Sequence, residues 1–144
     1  MAALSAAVTT QETRPRAGRS SYVVVSGDTV YAGGFVGVND AGFLVPWDDT
    51  ANYEFVGIAL QTVTGDGTLE CRVNEKGDIL KGAAVASAAQ GSVGELVYCE
   101  TDNPADLDLT ASTNVGPVGR VVRYGGTSGV ADVELFTPAE HLLS

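Results

Sequence analysis

The feature that most constrains this chain is a segment that occurs twice, 62 residues apart. The first copy, residues 56–73, places a glycine-rich turn between two stretches of alternating apolar and polar residues, and residues 118–135 repeat the plan. Such alternation around a glycine turn is typical of half-buried β-strands joined in a hairpin. A Gly-acid-x-Val-Tyr strand precedes each copy, at residues 27–31 and 94–98. The repeat predicts one compact β-domain built on a duplicated plan.

The length of 144 residues suits a single domain. Valine, threonine and glycine are plentiful, and this favours strands and tight turns over helices. We therefore expect an all-β body over residues 21–144, with about eight to ten strands in a mostly antiparallel barrel or sandwich. The stretch 82–90 is rich in alanine, and its pattern leaves a short helix and an irregular connection equally open.

The end of the chain carries a helix signal. Thr137 stands at an N-cap position, Pro138 at the first helical position, and Glu140 three residues after the cap. Together these residues form a capping box with an N1 proline. They predict a short C-terminal helix that runs to Leu143.

The first twenty residues differ from the rest in pattern and in charge. They have no usable periodicity, which predicts a flexible, extended N-terminal arm, with an idle flexible terminus as the alternative. They contain Arg14, Arg16 and Arg19 beside the single acid Glu12, whereas the remainder holds five basic and seventeen acidic residues. An acidic body disfavours nucleic acid or an anionic membrane as partner, because phosphate binding needs a basic face.

The sequence shows no sign of a membrane or secretion signal. No apolar run reaches the length of roughly 18 residues that a membrane helix needs. The start of the chain lacks the basic region of a signal peptide. We therefore expect a protein that is made and retained in a cytoplasm.

A search for chemistry finds no convincing catalytic set, so we expect a protein that is not an enzyme and has no cofactor or metal. His141 is the only histidine and lies far in sequence from any activated nucleophile. Cys71 and Cys99 read as buried thiols in a reducing compartment, although a disulfide is left open. The remaining candidates are acids whose oxygens could bind Ca²⁺: Asp48, Asp49, Asp102, Asp106 and Asp108. They lack the EF-hand pattern, so we favour their interpretation as solvated acids in turns.

Two aromatic residues are candidates for an interface. Trp47 is the one tryptophan and lies beside a proline and two acids, and Tyr53 follows it after a polar loop. A buried anchor in the core is the first interpretation of Trp47. Exposure at a subunit or partner interface is the alternative, because aromatic residues concentrate at interface centres.

From Gly42 to Glu75 the chain resembles the head-decoration, or capsid cement, proteins of tailed bacteriophages, including the lambda type. The resemblance rests on Leu-Val-Pro-Trp-Asp at 44–48, Val-Gly-Ile-Ala at 56–59 and the strand at 68–73. The second half, from residue 94 to Leu135, looks like the repeated half of related small cement proteins.

The resemblance implies a structural virion protein on the outer capsid surface. Such proteins form homotrimers at threefold or quasi-threefold sites of the expanded head and hold neighbouring capsomers against the pressure of the packaged DNA. Their partner is the major capsid protein, to which the N-terminal arm adds strand structure. The arm positions that this assigns to capsid binding are Thr10, Gln11, Thr13, Arg14, Arg16 and Arg19.

Two other functions compete with this one. The first is a trimeric fibre or spike module that presents loops, such as the acidic stretch 101–113, to a cell-surface glycan. The second is a small β-barrel enzyme, which the single histidine and the lack of an activated nucleophile make the least favoured.

Overall fold

The structure is a computed structural model that describes residues 19–48, 53–75, 77–110 and 116–137. These residues form β-strands and one short turn of 3₁₀-helix, Gln90–Ser92, so the predicted all-β, mostly antiparallel fold is confirmed. The strands are Arg19–Val23 (β1), Thr29–Val30 (β2), Phe35–Val38 (β3), Leu44–Pro46 (β4), Glu54–Ala59 (β5), Val63–Thr64 (β6), Glu70–Asn74 (β7), Ile79–Ala86 (β8), Leu96–Cys99 (β9), Leu107–Asp108 (β10), Gly119–Arg123 (β11) and Val130–Leu135 (β12).

The second half of the chain forms a closed five-stranded barrel. Its strands follow the order β8-β12-β11-β9-β10, in antiparallel pairs, and β10 returns to β8 in parallel. The closing pair joins Val85 and Leu107. Closure removes the exposed edges that an open sheet would leave. We call this unit the second barrel.

The first half repeats this topology strand for strand. Its five-stranded sheet has the order β1-β7-β5-β3-β4, again in antiparallel pairs. One residue beyond β1, Val24 forms an isolated parallel bridge with Leu44 and so joins the two ends of the sheet. This bridge corresponds to the pair between Val85 and Leu107. We call the unit the first barrel; the short ribbon of β2 and β6 is an addition to it.

The duplication extends to the register and to the core. Val36 pairs with Gly57 in the first barrel as Val97 pairs with Gly119 in the second. Equivalent positions in the two barrels are buried and apolar. The matching residues, first barrel then second, are Val24 and Val85, Val36 and Val97, Leu44 and Leu107, Val56 and Val118, Ala59 and Val121, Cys71 and Ala131, and Val73 and Val133.

The structure corrects the alignment of the two copies in detail. The spacing of 62 holds between β5 and β11, but the last strands correspond at a spacing of 60, because Ala59 pairs with Val73 and Val121 pairs with Val133. A slip of two residues preserves the alternation of faces along a strand, so the sequence pattern conceals it.

The structure also corrects which glycines of the two copies correspond, namely those that precede β3 and β9. The counterpart of Gly94 is Gly33 rather than Gly27. Gly33 N–H donates to the Ala59 carbonyl over 2.8 Å, as Gly94 N–H does to the Val121 carbonyl over 2.8 Å. Both glycines have positive φ, 85° and 93°, and each lies in a tight turn where a side chain is disfavoured.

Three aromatic residues of the first barrel join the two barrels. Phe35, Trp47 and Phe55 pack edge to face, with ring centroids 5.6 Å apart for Phe35 and Phe55 and 5.4 Å apart for Trp47 and Phe55. All three belong to a buried cluster that also contains the interior residues of the second barrel, and we call this cluster the main core. The adjacent residues Val36 and Val56 point the opposite way, into the separate core of the first barrel. The first barrel therefore buries residues on both faces of its sheet.

Some sequence expectations about boundaries are corrected. The arm was expected to end at residue 20, but β1 begins at Arg19. The alanine-rich stretch 82–90 is neither a helix nor an irregular connection over its first half, because β8 extends to Ala86 and pairs with β12. The predicted C-terminal helix is not confirmed: residues 138–144 lie outside the described part, and Thr137 is in no helix.

Candidate functional site

The predicted capsid-binding arm meets the folded body at β1. Its candidate residues Thr10, Gln11, Thr13, Arg14 and Arg16 lie outside the described residues. Arg19 opens β1 and pairs through its backbone with Asn74 at the end of β7. The point where the arm leaves the body is therefore beside residues 75–78, which connect the two barrels.

A carboxylate fixes β1 to the body at this point. Glu75 is 4% exposed and follows β7 directly. Its two oxygens accept hydrogen bonds from β1: Ser20 Oγ donates to Oε2 over 3.1 Å, and Tyr22 Oη donates to Oε1. Hydrogen bonds to a charged acceptor are the stronger kind, and a buried carboxylate needs them. Glu75 thus acts as a clamp on the strand that continues from the arm.

One edge of β1 has no strand beside it in the described part of the chain. β1 is the terminal strand of its sheet and pairs only with β7 along residues 19–23. The sheet closes only beyond it, at Val24. A strand edge without a neighbouring strand in the described residues is the geometry that β-augmentation uses.

The two candidate interface aromatics lie in different environments. Trp47 is 2% exposed, and its indole Nε1 donates to the Cys99 carbonyl over 2.7 Å. Trp47 is therefore a buried anchor within the chain, as its first interpretation predicts. Tyr53 is half-buried and packs against the main core.

The surface around the loop between β9 and β10 is acidic. Three open grooves, of about 550, 460 and 330 Å³, adjoin this loop. The carboxylates that line them are Asp28, Asp48, Glu100, Asp102, Asp106 and Asp108. Asp106 accepts from Thr101 Oγ1 over 2.9 Å, and Asp108 accepts from the Thr110 N–H over 3.2 Å, as turn acids do. Within the described ranges, no group of three or more His, Cys, Asp or Glu side chains is arranged to hold a metal ion.

Cys71 and Cys99 form no disulfide, and both thiols are buried, one in each barrel. Burial raises the pKa of the Cys71 thiol, which keeps it protonated and a weak nucleophile. Cys99 Sγ donates to the carbonyls of Thr101 and Asn103 over 3.0 and 3.3 Å. His141, the one histidine, lies outside the described residues.

Sequence reasoning missed Glu75. Its partners Ser20 and Tyr22 are 55 and 53 residues away in sequence. The only available signal was a single acid directly after an alternating strand, beside Asn74 and ahead of Gly77. That signal is equally typical of a solvated turn.

In the described part of the chain, no helix is both long and apolar enough to span a membrane. No protein-family model matches this chain, and no curated protein matches it.

Proposed function

We propose that this chain is a structural virion protein of a tailed bacteriophage. In this proposal it binds the outer surface of the expanded capsid as trimers at threefold or quasi-threefold sites. There it cements neighbouring capsomers against the pressure of the packaged DNA, with the major capsid protein as its partner.

The observation that carries the proposal is the open edge of β1, which continues directly into the basic arm. Eighteen residues precede β1, and fully extended they span up to roughly 60 Å, enough to cross a capsomer boundary. A segment that adds to a strand of the capsid protein, or receives one, gains main-chain hydrogen bonds along its length. Arg14 and Arg16 supply charge-assisted bonds to capsid carboxylates.

A cement protein must also carry load from its arm into its body. β1 is suited to this, because all five of its residues pair with β7 and Glu75 binds two of its side chains. Tension on the arm would act along β1 and load these bonds in shear. The net charge of −10 supports a surface that faces away from packaged DNA.

The test is co-sedimentation of the purified protein with expanded phage heads at low and high salt. We expect saturable binding at a copy number that matches the threefold sites. Deletion of residues 2–18, which leaves β1 intact, should abolish binding while the circular dichroism spectrum of the body is retained. Undiminished binding of the truncated protein would refute the arm as the capsid contact.

The arginines of the arm are tested separately. Alanine at Arg14 and Arg16 should weaken binding and reduce its dependence on salt, because screened charge pairs are lost. The matched control is alanine at Arg72 and Arg123, two exposed arginines of the body, which should leave binding and its salt profile unchanged. If both double variants weaken binding equally, the charges of Arg14 and Arg16 do not contribute to the interface with the capsid.

The same protein preparation is used to test the glycan-binding alternative. If the protein fails to bind cognate heads and instead binds a glycan on a screening array, it is a receptor-binding module. Binding to heads without any glycan signal supports the cement function.

A further inference from the structure

The outer surface of the second barrel carries a row of four paired residues. Leu96 pairs with Arg120, Arg120 with Glu134, and Glu134 with Ile79, so the four lie side by side across β9, β11, β12 and β8. Their strand neighbours Val97, Val121 and Val133 point inward. We call these four residues the outer row.

Two residues of the equivalent row in the first barrel are covered within the chain. Phe35 occupies the position of Leu96, and Ile58 occupies the position of Arg120. Phe35 is fully buried and Ile58 packs against the main core. The cover comes from the loop between β9 and β10 of the second barrel, where the Asp102 carbonyl accepts from Phe35 N–H over 2.8 Å. On the first barrel, this position therefore receives the β9–β10 end of the second barrel.

The outer row keeps an apolar character although nothing in the described part of the chain covers it. Leu96 is 38% exposed and Ile79 is 49% exposed, and Val93 beside the row is 42% exposed. Between the two apolar ends, Arg120 Nε and Glu134 Oε1 lie 3.8 Å apart. The row is therefore neutral on a strongly acidic protein, which lowers the repulsion between two copies at this face.

The first barrel presents a counterpart to the loop that provides the cover. Residues 39–43, between β3 and β4, correspond to residues 100–106, between β9 and β10. Both loops contain the same asparagine turn: Asn39 Oδ1 accepts from Ala41 N–H, and Asn103 Oδ1 accepts from Ala105 N–H, each over 3.0 Å. Asp40, Ala41 and Gly42 are exposed, so this end of the first barrel is free to make a contact.

We infer that the outer row binds the β3–β4 end of the first barrel of a second copy, so that chains associate head to tail. Such contacts are heterologous and close into a ring when the rotation between copies allows it. The inference rests on the proposed function in one respect. Three chains joined in this way would complete the proposed trimer as a ring of six barrels. Because this contact joins separate chains, the association depends on protein concentration.

The first test is sedimentation equilibrium of the full chain over a wide concentration range. We expect the wild type to associate and Leu96→Glu to require at least tenfold higher concentration. The matched control is Leu60→Glu, since Leu60 is 37% exposed and directly follows β5. The other end of β5 begins at Glu54, which pairs with Val38 at the base of the β3–β4 hairpin. A monomeric wild type, or equal loss in both variants, would overturn the inference.

The second test identifies the partner surface. Ala41→Cys and Leu96→Cys are prepared separately, one with a mass tag, and mixed under mild oxidation, with the native thiols buried. A disulfide between the two variants supports head-to-tail contact, whereas Leu96→Cys pairing only with itself would show a twofold contact and refute it. Head binding is measured in parallel: a monomeric wild type that still binds heads would leave the proposed function standing without this interface.

Discussion

The indole N–H of Trp47 donates a hydrogen bond of 2.7 Å to the carbonyl of Cys99, and this bond ties the first barrel to the second. Phe55 contacts the Trp47 ring edge to face from the first barrel. The two barrels therefore share a buried hydrogen bond beside an aromatic cluster, in addition to the bond from Phe35 N–H to the Asp102 carbonyl.

Replacement of Trp47 by phenylalanine should lower the free energy of unfolding by about 2 to 4 kcal/mol. The change removes a buried hydrogen-bond donor and leaves a cavity beside Phe55. Urea denaturation followed by circular dichroism measures the effect. Tyr31→Phe, at a 58% exposed position, is the control and should change stability by less than about 0.5 kcal/mol. Equal stability of Trp47→Phe and wild type would contradict the joining role.

Gly57 and Gly119 should respond alike to alanine, because they occupy the same position in the two barrels. A methyl group on either would collide with a backbone carbonyl of the neighbouring strand, that of Asn74 or that of Glu134. We expect losses of roughly 1 to 3 kcal/mol or more in each case, measured by thermal and urea unfolding. Gly125→Ala is the control, since nothing lies within 4 Å of its added methyl group. A tolerated Gly119→Ala would show that the two barrels differ at this position.

Replacement of Glu75 by alanine should loosen β1 more than it affects the rest of the fold. The Ser20 and Tyr22 hydroxyls lose their shared acceptor, at a cost of about 1 to 3 kcal/mol. Hydrogen exchange should show faster exchange of the amides of residues 19–23. Glu70→Ala is the matched control, because Glu70 lies on the same strand, pairs with Val23 and is exposed. If the amides of β1 exchange equally fast in both variants, Glu75 does not fix β1 to the body.

Asp66 should contribute a pH-dependent part of the stability. The Thr68 hydroxyl and the backbone N–H groups of Thr68 and Leu69 donate to its carboxylate and lower its pKa below the ordinary value of 3.8. A carboxyl with a lowered pKa stabilises the fold above its unfolded pKa and loses that effect as pH falls through the folded pKa. The stability gap between wild type and Asp66→Ala should therefore be largest above about pH 4 and shrink below it. A constant gap down to pH 2 would refute the assignment.

The sequence predicted the class of fold and the existence of a duplication, because both depend on local alternation and glycine turns. It did not predict that each copy is a whole five-stranded barrel. That property depends on the parallel bridges of Val24 with Leu44 and Val85 with Leu107, which join segments about twenty residues apart without a pattern of their own. The strand β8 was missed for a similar reason, since its alanines become a strand through pairing with the distant β12.

The candidate site was predicted only in outline. Arginines in an aperiodic start predict an arm, but the way β1 is fixed to the body is recognisable only once Glu75 and Tyr22 are seen together. Trp47 shows the opposite case, because an aromatic beside two acids is equally typical of an interface and of a core. Its indole N–H bonds to Cys99 at the end of β9, 52 residues away, and it packs against Phe55.

The order of the two barrels along the chain has a consequence for biosynthesis. All strands of the first barrel lie before residue 75, so this unit can close while the second is still being translated. During that interval Phe35, Phe55 and Trp47 have not yet met the residues that cover them. The nascent chain thus passes through a stage with an aromatic patch on its surface, and the emergence of β9 and β10 is what ends its exposure to aggregation.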